Sequence, residues 1–352
     1  MRLYNRFSAF FQSHPQFVFI QQLLLFIIYV LIRVFSSLPA LRSPRELADT
    51  DIYMRISTQP IIGPDFLAVN RPFVFPLLLQ IVSRNFEVAA VIQLIITIIV
   101  WGLLAYFVST SFHAAWLRLL SFVVILALSL VRHLAGWDFV MMTESLSLSS
   151  FALLIACAIW LLRGWQIGRV IILCVVAFLF AFTRDTNAYL LVMFAGMLLL
   201  AAILHWVQPR VLVVAGAFGL IFFISNLNAD VSQRWVFPLV NVVGKRILPY
   251  SHSVQKFEAC GMPVTPQLLR LADTFANGQD RAFFNDPALE GFRIWVREDG
   301  KFCYMRWLAG EPIQSVGQVF AEFNDLIYFE NTGSYFSRRY QDVLPSRLER
   351  LL

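Results

Sequence analysis

A polytopic α-helical membrane protein with about seven transmembrane helices, followed by a mainly helical extracytoplasmic segment, is the fold class that three observations predict. Of 352 residues, 59% are hydrophobic and only 14% are charged, against roughly 25% charged in soluble domains. Mean hydropathy is +0.68. The apolar residues gather into seven long runs, and beyond residue 227 the composition turns polar with no further run.

Crossing the hydrocarbon core as a helix takes about 20 apolar residues, somewhat fewer where the bilayer thins. The runs at 17–38, 88–108, 116–134, 146–162, 167–183, 188–206 and 211–227 meet that demand, the third with Arg118 near its start and the fifth at the short limit. No short apolar core with a small-residue cleavage site precedes the first run, so it is expected to stay as an anchor. Between the first two runs, Pro72 to Val82 is apolar, too short to cross, and bracketed by Arg71 and Arg84. That profile predicts a re-entrant or interfacial segment. The spans define a membrane domain over 1–227, with outer loops at 39–87, 132–145 and 184–187, and a second domain over 228–352.

Charge sets the orientation. The stretches 1–16, 109–118, 163–169 and 205–210 contain arginines and no acid, while every acid of the membrane half lies in the alternate loops. The positive-inside rule then places the N-terminus in the cytoplasm of a plasma-membrane protein and the acidic loops outside. With seven crossings the C-terminal domain lies outside as well. The net charge of +6 is scattered between apolar runs and forms no basic stripe, which argues against nucleic acid as a partner.

In the C-terminal domain, Glu311-Pro312 followed by Ile313, Val316, Phe320, Phe323 and Ile327 has helical spacing with proline in the first turn, and Glu298-Asp299-Gly300-Lys301 reads as a turn. Cys157 and Cys174 lie in apolar runs. Cys260 and Cys303 lie in the polar third, where one disulfide and two buried thiols are both open readings, and no cysteine spacing suits a metal.

Ionisable groups near a membrane are either paired for structure or gathered around a polar substrate. Here they gather on one face: Asp49 and Asp51 in the first outer loop, His133, Asp138 and Glu144 in the second, Arg184 and Asp185 in the third. Acids beside arginines suit a reaction that needs a base and handles an anion. The less specific readings are N-capping by Asp49, Asp51 or Glu144, interfacial anchoring by Arg71, and a local Arg184–Asp185 ion pair. Trp295 and Trp307 suit core packing or stacking on sugar faces.

Three short motifs carry a family resemblance. Asp49-Thr50-Asp51-Ile52-Tyr53 resembles the first-loop aspartate motif of membrane-embedded glycosyltransferases of the GT-C fold, among them bacterial members of family 39. Asn70-Arg71-Pro72-Phe73-Val74-Phe75-Pro76 is similar to the Arg-Pro and Pro-Leu signature closing that loop, and Met142-Thr143-Glu144-Ser145-Leu146 to the opening of a later helix. With fewer spans than is common there, the chain resembles a divergent or truncated member. The resemblance implies sugar transfer from a polyprenyl-phosphate donor in the membrane to a glycan, lipid or protein acceptor outside it, usually with inversion.

On that reading Asp49 is the general base, placed by its spacing to Tyr53, and Asp51 is a helper or a metal ligand. Arg71 and Arg184 are the candidates to bind the donor phosphate bidentately. Glu144 binds the acceptor, orients the base, or shares a divalent cation, Mg or Mn, with Asp51. Tyr53, His133, Asp138 and Asp185 complete the candidate site. The alternative function is a transporter or flippase for a lipid-linked or anionic substrate, which calls for broken helices and internal symmetry. No repeat is apparent in the sequence.

Overall fold

The computed structural model describes residues 15–47, 49–68, 71–276, 281–313, 316–317 and 320. All regular elements among them are helical, and the one strand-like pairing is an isolated bridge between Arg45 and Val140. The chain divides into two compact units, which part between Asn228 and Ala229, three residues before the last long helix ends at Val231.

The first unit begins with α1 (Pro15–Leu41), a long apolar helix. Three short helices follow in the first large loop: α2 (Thr50–Ile56), α3 (Pro64–Leu67) and α4 (Val74–Ile81). The segment expected to be re-entrant or interfacial is therefore α4, packed on α2 and α5. Next come α5 (Phe86–Ser109), whose N-terminus is capped by the Asn85 side chain accepting from the Val88 amide at 3.1 Å, and α6 (Ala115–Leu130). A single turn, α7 (Arg132–Ala135), and a 3₁₀ turn, Gly136–Phe139, lead to α8 (Glu144–Leu162), α9 (Ile167–Ala181), α10 (Asp185–Ile203) and α11 (Val211–Val231).

Five of these helices, α1, α5, α8, α10 and α11, are long and apolar enough to cross a membrane. A sixth crossing is made if α6 is counted with α7 and the turn after it. There Val131 takes an extended ψ of 128°, and the axis bends by 58°. The fifth expected span, 167–183, is α9 with 15 residues, about 22 Å of helix at 1.5 Å per residue. Seven uniform crossings thus become five long helices, one bent pair and one short helix. The third and fifth differ because the chain leaves the helix at Val131 and at Phe182 to enter the loops described below.

α1 is polar inside and apolar outside. Gln22, Tyr29, Arg33 and Ser37, spaced along one face, are all buried, whereas Phe19, Leu24, Ile28, Leu31 and Phe35 are exposed. Such a helix suits a hydrocarbon solvent, where apolar surface needs no cover and polar groups must be satisfied inside the protein. Gln22 donates to the Ser109 hydroxyl at 3.0 Å, and the Ser129 hydroxyl donates to Tyr29 at 3.0 Å. Arg33 meets Asp138 of the 3₁₀ turn at 2.6 Å, with both side chains only 2% exposed. Asp138 also accepts from Ser145 at 2.6 Å and Thr97 at 2.9 Å, while Thr97 reaches Ser149 at 3.1 Å. One ion pair therefore joins α1, α5, the turn and α8.

At the opposite end of α8, arginines of two acid-free stretches, 163–169 and 205–210, meet aromatic rings and carbonyls. Arg169 donates to the Trp160 carbonyl at 2.9 Å and lies over the Trp160 ring, and Arg210 lies over Trp165.

The second unit contains α12 (Val236–Val242), α13 (Ser251–Glu258), α14 (Pro266–Leu269), α15 (Ala282–Asn285), α16 (Glu290–Trp295) and α17 (Lys301–Gly310). Its core holds Val243, Ile247, Phe257, Phe283, Phe292, Trp295 and Trp307, so both tryptophans are packing residues. Cys260 and Cys303 form a disulfide. The expected turn at Glu298–Lys301 is instead a π-helical turn, Val296–Gly300, running straight into α17. Gly300 is there for packing: a Cβ on it would lie 3.0 Å from Leu239 Cδ2. Most of the amphipathic helix expected after Glu311 lies outside the described residues.

Removing Arg33 strands Asp138 in the interior, and breaking a buried pair from one side costs about 3–5 kcal/mol. Arg33→Met is expected to lower the melting temperature of the detergent-purified protein sharply, and adding Asp138→Leu to recover most of the loss. A double variant no better than Arg33→Met would refute the pairing.

Candidate active site

Three loops meet where α1, α6 and α9 end and α5, α8 and α10 begin. Arg45 pairs by its backbone with the segment before α8: its amide donates to the Phe139 carbonyl at 2.7 Å, and its carbonyl accepts from the Met141 amide at 2.9 Å. The Thr50 hydroxyl donates to the Met141 carbonyl at 3.1 Å. Further along the first loop, the Val74 amide donates to the Phe182 carbonyl at 3.3 Å, and the Phe73 ring packs against Phe182 with centroids 5.2 Å apart. Beneath them Tyr53, Phe75, Leu79, Phe139, Met141 and Leu146 form one apolar cluster.

This packing brings five candidate residues together. Asp49 occupies the cap position of α2, yet its side chain makes no capping hydrogen bond. Its Oδ1 accepts from Arg71 Nη2 at 2.8 Å, and the two side chains are 37% and 26% exposed. Glu144, the first residue of α8, accepts through Oε1 from Arg184 Nη1 at 3.0 Å, with Glu144 12% and Arg184 42% exposed. Asn187 braces the same corner, donating to the Ser147 hydroxyl at 2.9 Å and the Phe180 carbonyl at 2.9 Å.

Tyr53 joins the two pairs. It is 4% exposed, its ring meets Phe75 edge-on, and its hydroxyl hydrogen-bonds with the Thr143 side chain. Arg71, Asp49 and Glu144 are all close enough for their charges to act on it. Burial pushes its hydroxyl up to about 12; Arg71 and Thr143 pull down against that, and Asp49 and Glu144 add to it. The phenol is therefore neutral at physiological pH, a fixed partition between two acid–arginine pairs.

The remaining candidates lie elsewhere. Asp51 is exposed in the first turn of α2, and His133 is exposed on α7. Asp138 is committed to Arg33 in the interior. Asp185 opens α10, half-buried, beside Arg184. Among the described residues no three His, Cys, Asp or Glu side chains come together as a metal-binding group. The best-placed carboxylates, Asp49 and Glu144, are each held by an arginine.

Sequence reasoning missed Arg33. It is the one charged residue within the run 17–38, and an isolated charge inside a span is itself a signal of a buried partner. Comparisons of the chain with protein families, with curated proteins and with solved structures find no match.

Because the folded protein holds the Tyr53 hydroxyl at about 12 against an ordinary value of 10.0, the unfolded chain releases this proton first as pH rises. The stability that Tyr53 contributes is complete below pH 10 and is lost between about 10 and 12. Tyr53→Phe is expected to flatten that part of the stability profile, measured by thermal unfolding across the alkaline range. An unchanged alkaline slope would contradict the buried, neutral phenol.

Proposed function

We propose that this protein is an integral-membrane glycosyltransferase that moves a sugar from a polyprenyl-phosphate donor to an extracytoplasmic glycan, lipid or protein acceptor. The observation that carries the reading is the meeting of Asp49–Arg71 and Glu144–Arg184 around Tyr53, built from three loops at one end of the helices. It joins a base to two phosphate-binding groups at the end of apolar helices, where a lipid phosphate with its chain in the bilayer can reach them.

The chemistry follows from those groups. An acceptor hydroxyl is a weak nucleophile, so its proton passes to the Asp49 carboxylate as its oxygen forms a bond to the anomeric carbon. The bond from that carbon to the phosphate oxygen breaks on the opposite face, inverting the centre. The leaving lipid phosphate keeps the bonding electrons, and Arg71 and Arg184 hold its charge. Glu144, held by Arg184 at the start of α8, suits acceptor binding.

The broken helix at Val131 and the polar inner face of α1 favour a second reading, transport of an anionic or lipid-linked substrate. Against it, Gln22, Tyr29 and Arg33 on that face are each hydrogen-bonded to a partner on a neighbouring element, Ser109, Ser129 and Asp138. For orientation, the acid-free loops favour a cytoplasmic N-terminus, and the Cys260–Cys303 disulfide fits an oxidising compartment for the second unit.

Asp49→Asn keeps the size of the side chain and removes its proton affinity. Transfer from polyprenyl-phosphate sugars is expected to fall on the order of 10² to 10⁴-fold, with the donor still bound. Native turnover by a correctly folded Asp49→Asn variant would end the base assignment, and substrate translocation without release of lipid phosphate would favour the transporter.

Cysteines introduced at Thr58 and at Gln255 are both expected to react with a membrane-impermeant thiol reagent in intact cells. Protection of both would reverse the orientation.

A further inference from the structure

We propose that Asp49 and the donor phosphate compete for Arg71, so that arrival of the donor is what frees the base. The inference rests on the glycosyltransferase reading and adds to it an order of events within the same site.

The two acid–arginine pairs are not equivalent. Glu144 is 12% exposed, and Arg184, 42% exposed in the same pair, has guanidinium nitrogens to spare for a second anion. That pair is built to remain while a phosphate docks beside it. Asp49 and Arg71 are 37% and 26% exposed, and ion pairs open to solvent are held weakly, by about 0.2–1 kcal/mol. A phosphate offers the same guanidinium more charge and a bidentate match. Of the two carboxylates, Asp49 is the one that gives way.

The exchange has a chemical consequence. While Asp49 Oδ1 accepts from Arg71 Nη2 at 2.8 Å, that oxygen is engaged by the guanidinium and is not free to take up an acceptor hydroxyl. When Arg71 turns to the phosphate, the oxygen is released at the moment the sugar is in place. Tyr53, buried and tied to Thr143, stays fixed while the arginine moves. The site thus keeps its base quiet until there is a donor to attack, and donor precedes acceptor.

The test is binding of a polyprenyl phosphate lacking the sugar to the full-length protein in detergent. Asp49→Asn removes the competitor and is expected to bind the lipid phosphate about fivefold more tightly than the native protein. Asp49→Ala, carried in parallel in case the amide disturbs folding, is expected to shift the same way. Arg71→Leu should bind more weakly, and combining it with Asp49→Asn should give the affinity of Arg71→Leu alone. Native protein that binds the lipid phosphate, with Asp49→Asn and Asp49→Ala no tighter, overturns the competition and leaves the glycosyltransferase reading standing. No saturable binding by the native protein overturns the donor assignment and this proposal with it.

Discussion

A guanidinium in the middle of an apolar helix obliges its surroundings to answer it, because hydrocarbon offers no water to do so. Arg33 sets that condition, and the membrane unit is arranged around the reply. Asp138 reaches it because the chain leaves α6 at Val131, bends, and returns inward through a 3₁₀ turn. The same carboxylate takes a hydroxyl from Ser145, one residue beyond Glu144. A pair buried among α1, α5 and α8 therefore fixes the depth at which α8 begins, and with it the height of the acid that pairs with Arg184. Structural and candidate catalytic charges, Asp138 and Glu144, are separated by only six positions along the chain.

The charges at the loop junction work differently. Two acids and two arginines cancel there, so the cluster sits partly buried without the cost of an isolated ion. Its members come from positions as distant as 49 and 184, yet no pair is fully withdrawn from solvent. Tyr53 supplies the rigidity that weak, accessible pairs lack, with an aromatic contact on one side and a hydrogen bond at its tip.

Hydropathy made the long helices legible in the sequence, since their length and lack of charge are local properties. Their irregularities were less so. α6 and α9 are shortened by contacts their own residues do not encode: Phe182 leaves its helix where its carbonyl meets the Val74 amide, over a hundred positions away. Membership of the candidate site was readable in part: acids confined to alternate loops tend to share a face, as Asp49 and Glu144 do, but Asp138 turns inward and His133 stays exposed on α7. The pairings were not, because they depend on which helix ends are neighbours. Asp138 shows the limit: its position in the chain is that of an outer loop, and only the bend returns it to the interior. Gly300 shows another, a residue with the local chemistry of a turn used instead to let a helix pass close to Leu239.

The brevity of α9 bears on the membrane itself. At about 22 Å it falls short of a hydrocarbon layer of about 30 Å, and such a mismatch is relieved by thinning of the adjacent lipid or by drawing headgroups inward. Arg184 comes three positions after this helix ends at Ala181. On that flank the bilayer surface would dip toward the junction of the loops, forming a shallow saddle in the leaflet. On the proposed glycosyltransferase reading, a long-chain lipid diffusing along the saddle would present its headgroup at the height of Arg184 while its tail remained in oil, and the local deformation of the membrane would belong to the entrance.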